Sequence, residues 1–136
     1  MEAYVHVQAL KGKVGVGLVI REKYETLASS GWLHGDGDMW QALRDTVLGL
    51  CEGGQPMTIY TPLQAAELAV RGNGPNAWRW ADVRAALESA GSSLRWCGHV
   101  AITTGMADAQ ARSNLMLGRE SRGTHTMSWN RNGRCR

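Results

Sequence analysis

Cysteine is scarce and poorly placed for its structural uses. The three present, Cys51, Cys97 and Cys135, form no CxxC pair and leave an odd thiol. That argues against a disulfide framework or a zinc ribbon and for a reducing, intracellular setting. No basic-then-apolar leader opens the chain and no long uninterrupted apolar run occurs in it. Neither a signal peptide nor a membrane span is therefore expected, and the protein reads as soluble and cytoplasmic. Internal repeats are also missing. Neither sign of charge dominates: the formal net charge is +3, compatible with a polyanionic partner but too small to demand one. What is present is apolar substance enough for one core, 43% of 136 residues, and so a single domain.

The stretch Met57–Gln64 organises the rest, because it joins a β-rich run directly to a helix start. Met57, Ile59 and Tyr60 have strand character. Thr61, Pro62 and Gln64 read as an N-cap, a proline at the first helical position and a capping-box partner. In an open α/β sheet, ligands collect at the carboxyl ends of such strands.

In Ala3–Leu10, Val5 and Val7 alternate with Tyr4, His6 and Gln8, which predicts a half-buried strand. Lys11-Gly12-Lys13 is a tight turn. Val14, Val16, Leu18 and Ile20 then alternate with Gly15, Gly17 and Val19, a strand whose glycine face admits a helix or a ligand close to the backbone. A polar turn at Arg21-Glu22-Lys23 leads to a third, less regular strand over Tyr24–Leu33. Three antiparallel strands are expected to open the fold.

Asp38 is placed to cap a helix over Met39–Glu52, with Gln41 in the capping-box position and Gly53-Gly54 as the stop. Trp40, Leu43, Val47 and Leu50 fall at helical spacing. After the organising strand a second helix carries Ala65, Ala66 and Leu68 to a break at Gly72-Asn73-Gly74-Pro75. Asn76 caps a third, with Trp80, Val83 and Leu87 on one stripe and Gly91 at its end. Leu94–Cys97 reads as the last strand and Met106–Leu117 as the last helix. Residues 118–136 are polar and rich in arginine without a hydrophobic period, and read as a C-terminal tail to a domain over residues 1–117. The expected architecture is α/β, a five-stranded mixed sheet with helices on both faces, in the order β-β-β-α-β-α-α-β-α.

That order resembles the ribonuclease H-like fold, and local matches sharpen the resemblance to type 1 ribonuclease H. Val14-Gly15-Val16-Gly17 is similar to that family's glycine-rich second strand. Ile59-Tyr60-Thr61-Pro62-Leu63 resembles its fourth, where the family reads Asp-Ser after the Thr. Leu94-Arg95-Trp96-Cys97-Gly98-His99 resembles the fifth strand and the histidine beyond it, and Ala107-Asp108 with Ala111 the Ala-Asp-x-x-Ala of the last helix. The resemblance covers residues 3–117.

The resemblance implies carboxylates around two magnesium or manganese ions, which activate a water for phosphodiester hydrolysis. Carried over residue by residue, the first-strand aspartate falls near Gln8, the first-helix glutamate near Met39–Gln41, about Trp40, and the fourth-strand aspartate on Pro62. Only Asp108 keeps a carboxylate, with His99 as the proton-moving histidine. These two are the candidate catalytic residues, and Asp108 the candidate metal ligand. The ordinary site reads as degenerate, so no cofactor is expected unless carboxylates gather in some other way, as from Asp36, Asp38 and Asp45. Trp78 and Arg79, off the apolar stripe, and Lys11 and Lys13 in the first turn are the candidate contacts for nucleic acid. Trp40, Trp80 and Trp96 read as core residues. The expected function is nucleic-acid binding, to an RNA–DNA hybrid, duplex or single strand, by a chain that has lost hydrolysis. The alternatives are an active magnesium- or manganese-dependent nuclease on RNA–DNA hybrids and a protein-interaction or homo-oligomerising scaffold.

Overall fold

The computed structural model describes residues 1–35, 37–97 and 104–118. Three strands form an antiparallel meander: β1 (Glu2–Leu10), β2 (Lys13–Glu22) and β3 (Glu25–His34). The first turn is two residues long, Leu10 pairing with Lys13. Lys11 and Gly12 both take positive φ, 50° and 78°, the backbone twist that a two-residue hairpin requires. Two short strands, β4 (Thr58–Thr61) and β5 (Ser93–Trp96), run parallel to β1 and complete the order β3-β2-β1-β4-β5.

β1 is central, and both of its faces are covered. The half-buried strand expected from its alternation is therefore corrected: Val5 and Val7 are buried on one side, and Tyr4 and His6 are buried on the other. Helices α1 (Met39–Glu52) and α3 (Ala81–Ala90) cover the first face, where Val5, Val16, Leu43, Val47, Ile59, Val83 and Leu87 make the main core. Burying a side chain such as Leu43 or Ile59 completely contributes about 1.5–3 kcal/mol. Helix α4 (Thr104–Met116) covers the second face with Met106 and Ala109 against Tyr4 and Val19.

The glycine face of β2 exists for that helix. A Cβ on Gly17 would run into the Ala109 carbonyl, and one on Gly15 would stand 2.5 Å from the Ser113 carbonyl. The group that approaches the glycines is α4, one of the two occupants the sequence leaves open.

Local signals set α1. Asp38 Oδ1 accepts from the backbone N–H of Trp40 at 2.9 Å and of Gln41 at 3.4 Å, as an N-cap does. The Gln41 side chain donates forward to Asp45 at 2.7 Å.

The helix after β4, α2 (Gln64–Val70), begins two residues later than the sequence suggests: its N-cap is Leu63. An N-cap carbonyl accepts the first intrahelical bond, but the Thr61 carbonyl accepts from the Cys97 N–H at 2.8 Å as part of the sheet. Thr61 instead closes a short turn, its hydroxyl accepting from the Leu63 N–H at 3.1 Å. Pro62 thus lies between strand and helix. The expected Asn76 cap is also corrected. A 3-10 helix, Ala77–Trp80, precedes α3, and the Asn76 side chain makes no capping bond to it. Gly91 ends α3 at φ 70°, the left-handed position where glycine is least costly. Among the described residues, no helix is long and apolar enough to cross a membrane.

Candidate functional site

The carboxyl ends of β1 and β4 lie along one edge of the sheet, because the two strands are parallel. The Lys11-Gly12 hairpin leaves β1 there, whereas Pro62 and α2 leave β4 earlier along the strand direction, level with His6. The hairpin tip also meets the loop entering α1: a Cβ on Gly37 would stand 2.8 Å from the Gly12 carbonyl. Lys11, Lys13 and the first turn of α1 are therefore neighbours, and both lysines are exposed.

Beside this edge, α1, α2 and the 3-10 helix enclose a cavity of about 470 Å³ lined by Trp40, Arg44, Trp78, Arg79 and Trp80, with Asp38 and Asn76 at its wall. Small-molecule sites run from roughly 300 to 1,000 Å³. Arg44 organises it. Its guanidinium grips Asp82 with two bonds, 2.8 and 2.6 Å, and donates to the Arg79 carbonyl at 2.6 Å. One side chain so ties α1 to α3 and to the last turn of the 3-10 helix. The bond to Asp82 raises the Arg44 pKa further and the same bond lowers that of Asp82, so both are charged near neutral pH. Arg44 also sits 5.7 Å from the centre of the Trp80 ring, and Trp40 meets Trp80 edge-on at 6.3 Å. Trp80 is buried at 3% exposure, whereas Trp78 is 70% exposed. Arg79 lies over the Trp78 ring, 5.0 Å from its centre, a cation–π arrangement. Among the described residues Arg79 has no carboxylate partner.

Trp80 belongs to the core as the sequence suggests, but Trp40 and Trp96 do not: both are more than a third exposed. Trp40 stands at the second position of α1, where the helix runs out from the sheet. Arg44, one turn further on the same helix, escapes sequence reading. Its i,i+4 spacing from Trp40 was visible, but its partner Asp82 lies 38 residues away.

Among the described residues, Asp108 and Pro62 belong to no group of side chains that could hold a metal ion. Asp108 is exposed on α4, where partial desolvation raises its pKa while Arg21 and Arg112 lower it. Its charged neighbours are cations rather than other carboxylates. Arg112 in turn donates to Ser29 on β3 at 3.0 Å, on the opposite side of the sheet from β4. Continuing the pairing of Tyr4 with Tyr60 by two residues puts Pro62 level with His6, one pleat before Gln8. Pro62 and Trp40 have no side-chain oxygen, and the Gln8 side-chain oxygen is buried without a partner. Among the described residues, no three His, Cys, Asp or Glu side chains gather as a metal would need. The described residues do not fit a pair of divalent ions. His99, Asp36 and residues 119–136 of the expected tail lie outside the described residues.

His6 is the polar centre of the second face. It is 6% exposed, and its Nδ1 is 2.8 Å from the Ser113 hydroxyl. That hydroxyl donates to the Gln110 carbonyl at 2.9 Å. Its one hydrogen is thereby committed, so His6 Nδ1–H donates to Ser113. Burial lowers the His6 pKa to about 4.

No protein-family model matches the sequence, and no curated protein matches it. Solved structures do. RNase H1 from the halophilic archaeon Halobacterium salinarum superposes with a TM-score of 0.65 at 17% identity, over 86% of this chain and 96% of that one. The N-terminal RNase H domain of a Mycobacterium tuberculosis protein gives 0.60 at 11%, over 84% and 97%. LC11-RNase H1 in complex with an RNA/DNA hybrid gives 0.53 at 16%, over 70% and 83%. The chain has the ribonuclease H-like fold, as the order of its strands and helices suggests.

Proposed function

We propose that this chain uses a ribonuclease H-like fold to bind nucleic acid without hydrolysing it. One observation carries the reading. An exposed tryptophan with an arginine across its face lines a cavity with Asp38, next in the chain to the Gly37 that approaches the Lys11-Gly12-Lys13 hairpin. Lysine and arginine at these places neutralise phosphates, which supplies affinity without regard to sequence. Trp78 supplies a flat apolar face for a base. A similar structure was solved with an RNA/DNA hybrid bound, which supports a nucleic-acid partner for the fold.

Among the described residues, hydrolysis lacks its parts. A two-metal mechanism needs oxygen ligands close together to hold the ions that activate water and stabilise the leaving oxygen. The resemblance puts those ligands at or near Gln8, Trp40, Pro62 and Asp108, of which one is acidic and that one is flanked by arginines. Binding is therefore the activity that these side chains can perform.

Fluorescence anisotropy with labelled hybrid, duplex and single-stranded oligonucleotides at low salt tests the binding. A cleavage assay on the same hybrid with magnesium or manganese tests the rest. The expected result is binding without product. Turnover that Asp108→Asn abolishes would overturn the inactive reading, and absence of binding to all three would move the function to a protein-interaction scaffold.

A further inference from the structure

The cavity beside the α1 entry is more than a patch on a binding face, since aromatic side chains converge on it and one of its cations, Arg79, has no carboxylate partner among the described residues. Its floor is fixed by Trp80 and by the Arg44–Asp82 fork, which uses Asp82's negative charge to balance Arg44. Its rim carries Arg79, whose guanidinium has no carboxylate to satisfy it among the described residues. Two of its tryptophans, Trp40 and Trp78, are exposed enough to be reached from solvent.

A flat aromatic ligand with an attached anion suits this arrangement. Tryptophan faces hold a planar ring by stacking, and a guanidinium without a carboxylate partner holds a phosphate by charge-assisted hydrogen bonds. A base inside a duplex cannot enter, because both its faces are covered by its neighbours and its edge is paired. We propose that this cavity receives a single unpaired nucleobase, its neighbouring phosphate on Arg79. Trp40 then has a task of its own at a position where the resemblance leads one to expect a carboxylate. The chemistry is that of a nucleoside monophosphate, whether free or as an unpaired residue of a strand. This inference rests on the nucleic-acid reading above and narrows it to unpaired residues.

Titration of the whole chain, followed by quenching of tryptophan fluorescence, separates the cases. The probes are adenosine 5′-monophosphate, a single-stranded oligonucleotide and a blunt RNA–DNA hybrid. The single strand should quench saturably. Trp78→Ala and Trp40→Ala should each weaken it by about tenfold or more, the size of one lost base stack. Binding of the blunt hybrid should change by less than about twofold, since paired bases do not reach the cavity. Arg79→Gln should weaken the strand and lower its salt slope by about 1, the signature of one lost phosphate contact. Monophosphate binding as tight as the strand's assigns the cavity to free nucleotide; strand binding that is much tighter assigns it to an unpaired residue. Hybrid binding by the parent chain with no response of the strand to either tryptophan variant overturns the cavity assignment alone. Failure of both strand and hybrid to bind overturns the nucleic-acid reading with it.

Discussion

His6 shows how one buried residue ties stability to pH. Its ring is neutral in the fold, with a pKa near 4 against 6.5 in an exposed chain. Between these values the unfolded chain takes up a proton that the folded one refuses, so stability falls as pH drops from 6.5 toward 4. The full effect is on the order of 3 kcal/mol. His6→Gln keeps a donor for Ser113 and does not titrate. Urea unfolding at pH 7 and pH 4.5 should therefore show a larger loss in the parent than in the variant. Equal losses would mean that His6 already accepts the proton in the folded chain.

Pro62 poses the opposite question, whether a residue matters at all. Its ring restricts φ in a bend between β4 and α2, but the turn is also closed by the Thr61 hydroxyl on the Leu63 N–H. Pro62→Asp should then fold with a loss of at most about 1 kcal/mol, the scale of a proline's effect on the unfolded chain. A loss several times larger in the same unfolding measurement would show that the ring packs as well as pre-sets.

Among the elements, α4 and β2 are held at a distance that only glycine permits. Gly17→Ala would put a methyl group into the Ala109 carbonyl. Backbone of a packed helix cannot step aside as a long side chain can, so overpacking of about 1–3 kcal/mol or more is expected, read as a lowered unfolding midpoint. Gly12→Ala, with open space around it and a positive φ, tests turn strain alone.

How far each element was legible in the sequence follows from where its determinants lie. The bounds of α1, Met39–Glu52, agree with expectation because Asp38 and Gly53 are local signals. The start of α2 was not legible, since the Thr61 carbonyl is claimed by Cys97 in another strand. The second hairpin is displaced for a related reason. β2 runs on to Glu22, and the turn falls on Lys23-Tyr24, both at positive φ without a glycine to announce it. At the site, the exposure of Trp78 could be read from its place off the α3 stripe. The cavity could not, because it needs α1 and α3 to meet through Arg44 and Asp82.

For the molecule as a whole, the charge is too small for tight binding by electrostatics alone. The net charge is +3, and the cations of the proposed interface are Lys11, Lys13 and Arg79, since Arg44 is held by Asp82. Each phosphate that such a cation neutralises releases a counterion, and a slope of log K against log salt of roughly −2 to −4 follows for three or four contacts. Affinity should be micromolar in order at low salt and should weaken steeply as salt rises. Lys13→Ala should reduce the slope by about 1 for single strand and duplex alike, because a phosphate contact does not depend on base pairing. Trp78→Ala should leave the slope unchanged while weakening the single strand more than the duplex, because stacking releases no counterion. Anisotropy titrations of the parent and both variants between about 50 and 200 mM salt read the two quantities separately. A slope near zero with undiminished affinity would place the binding energy in apolar contact and remove the lysines from the interface.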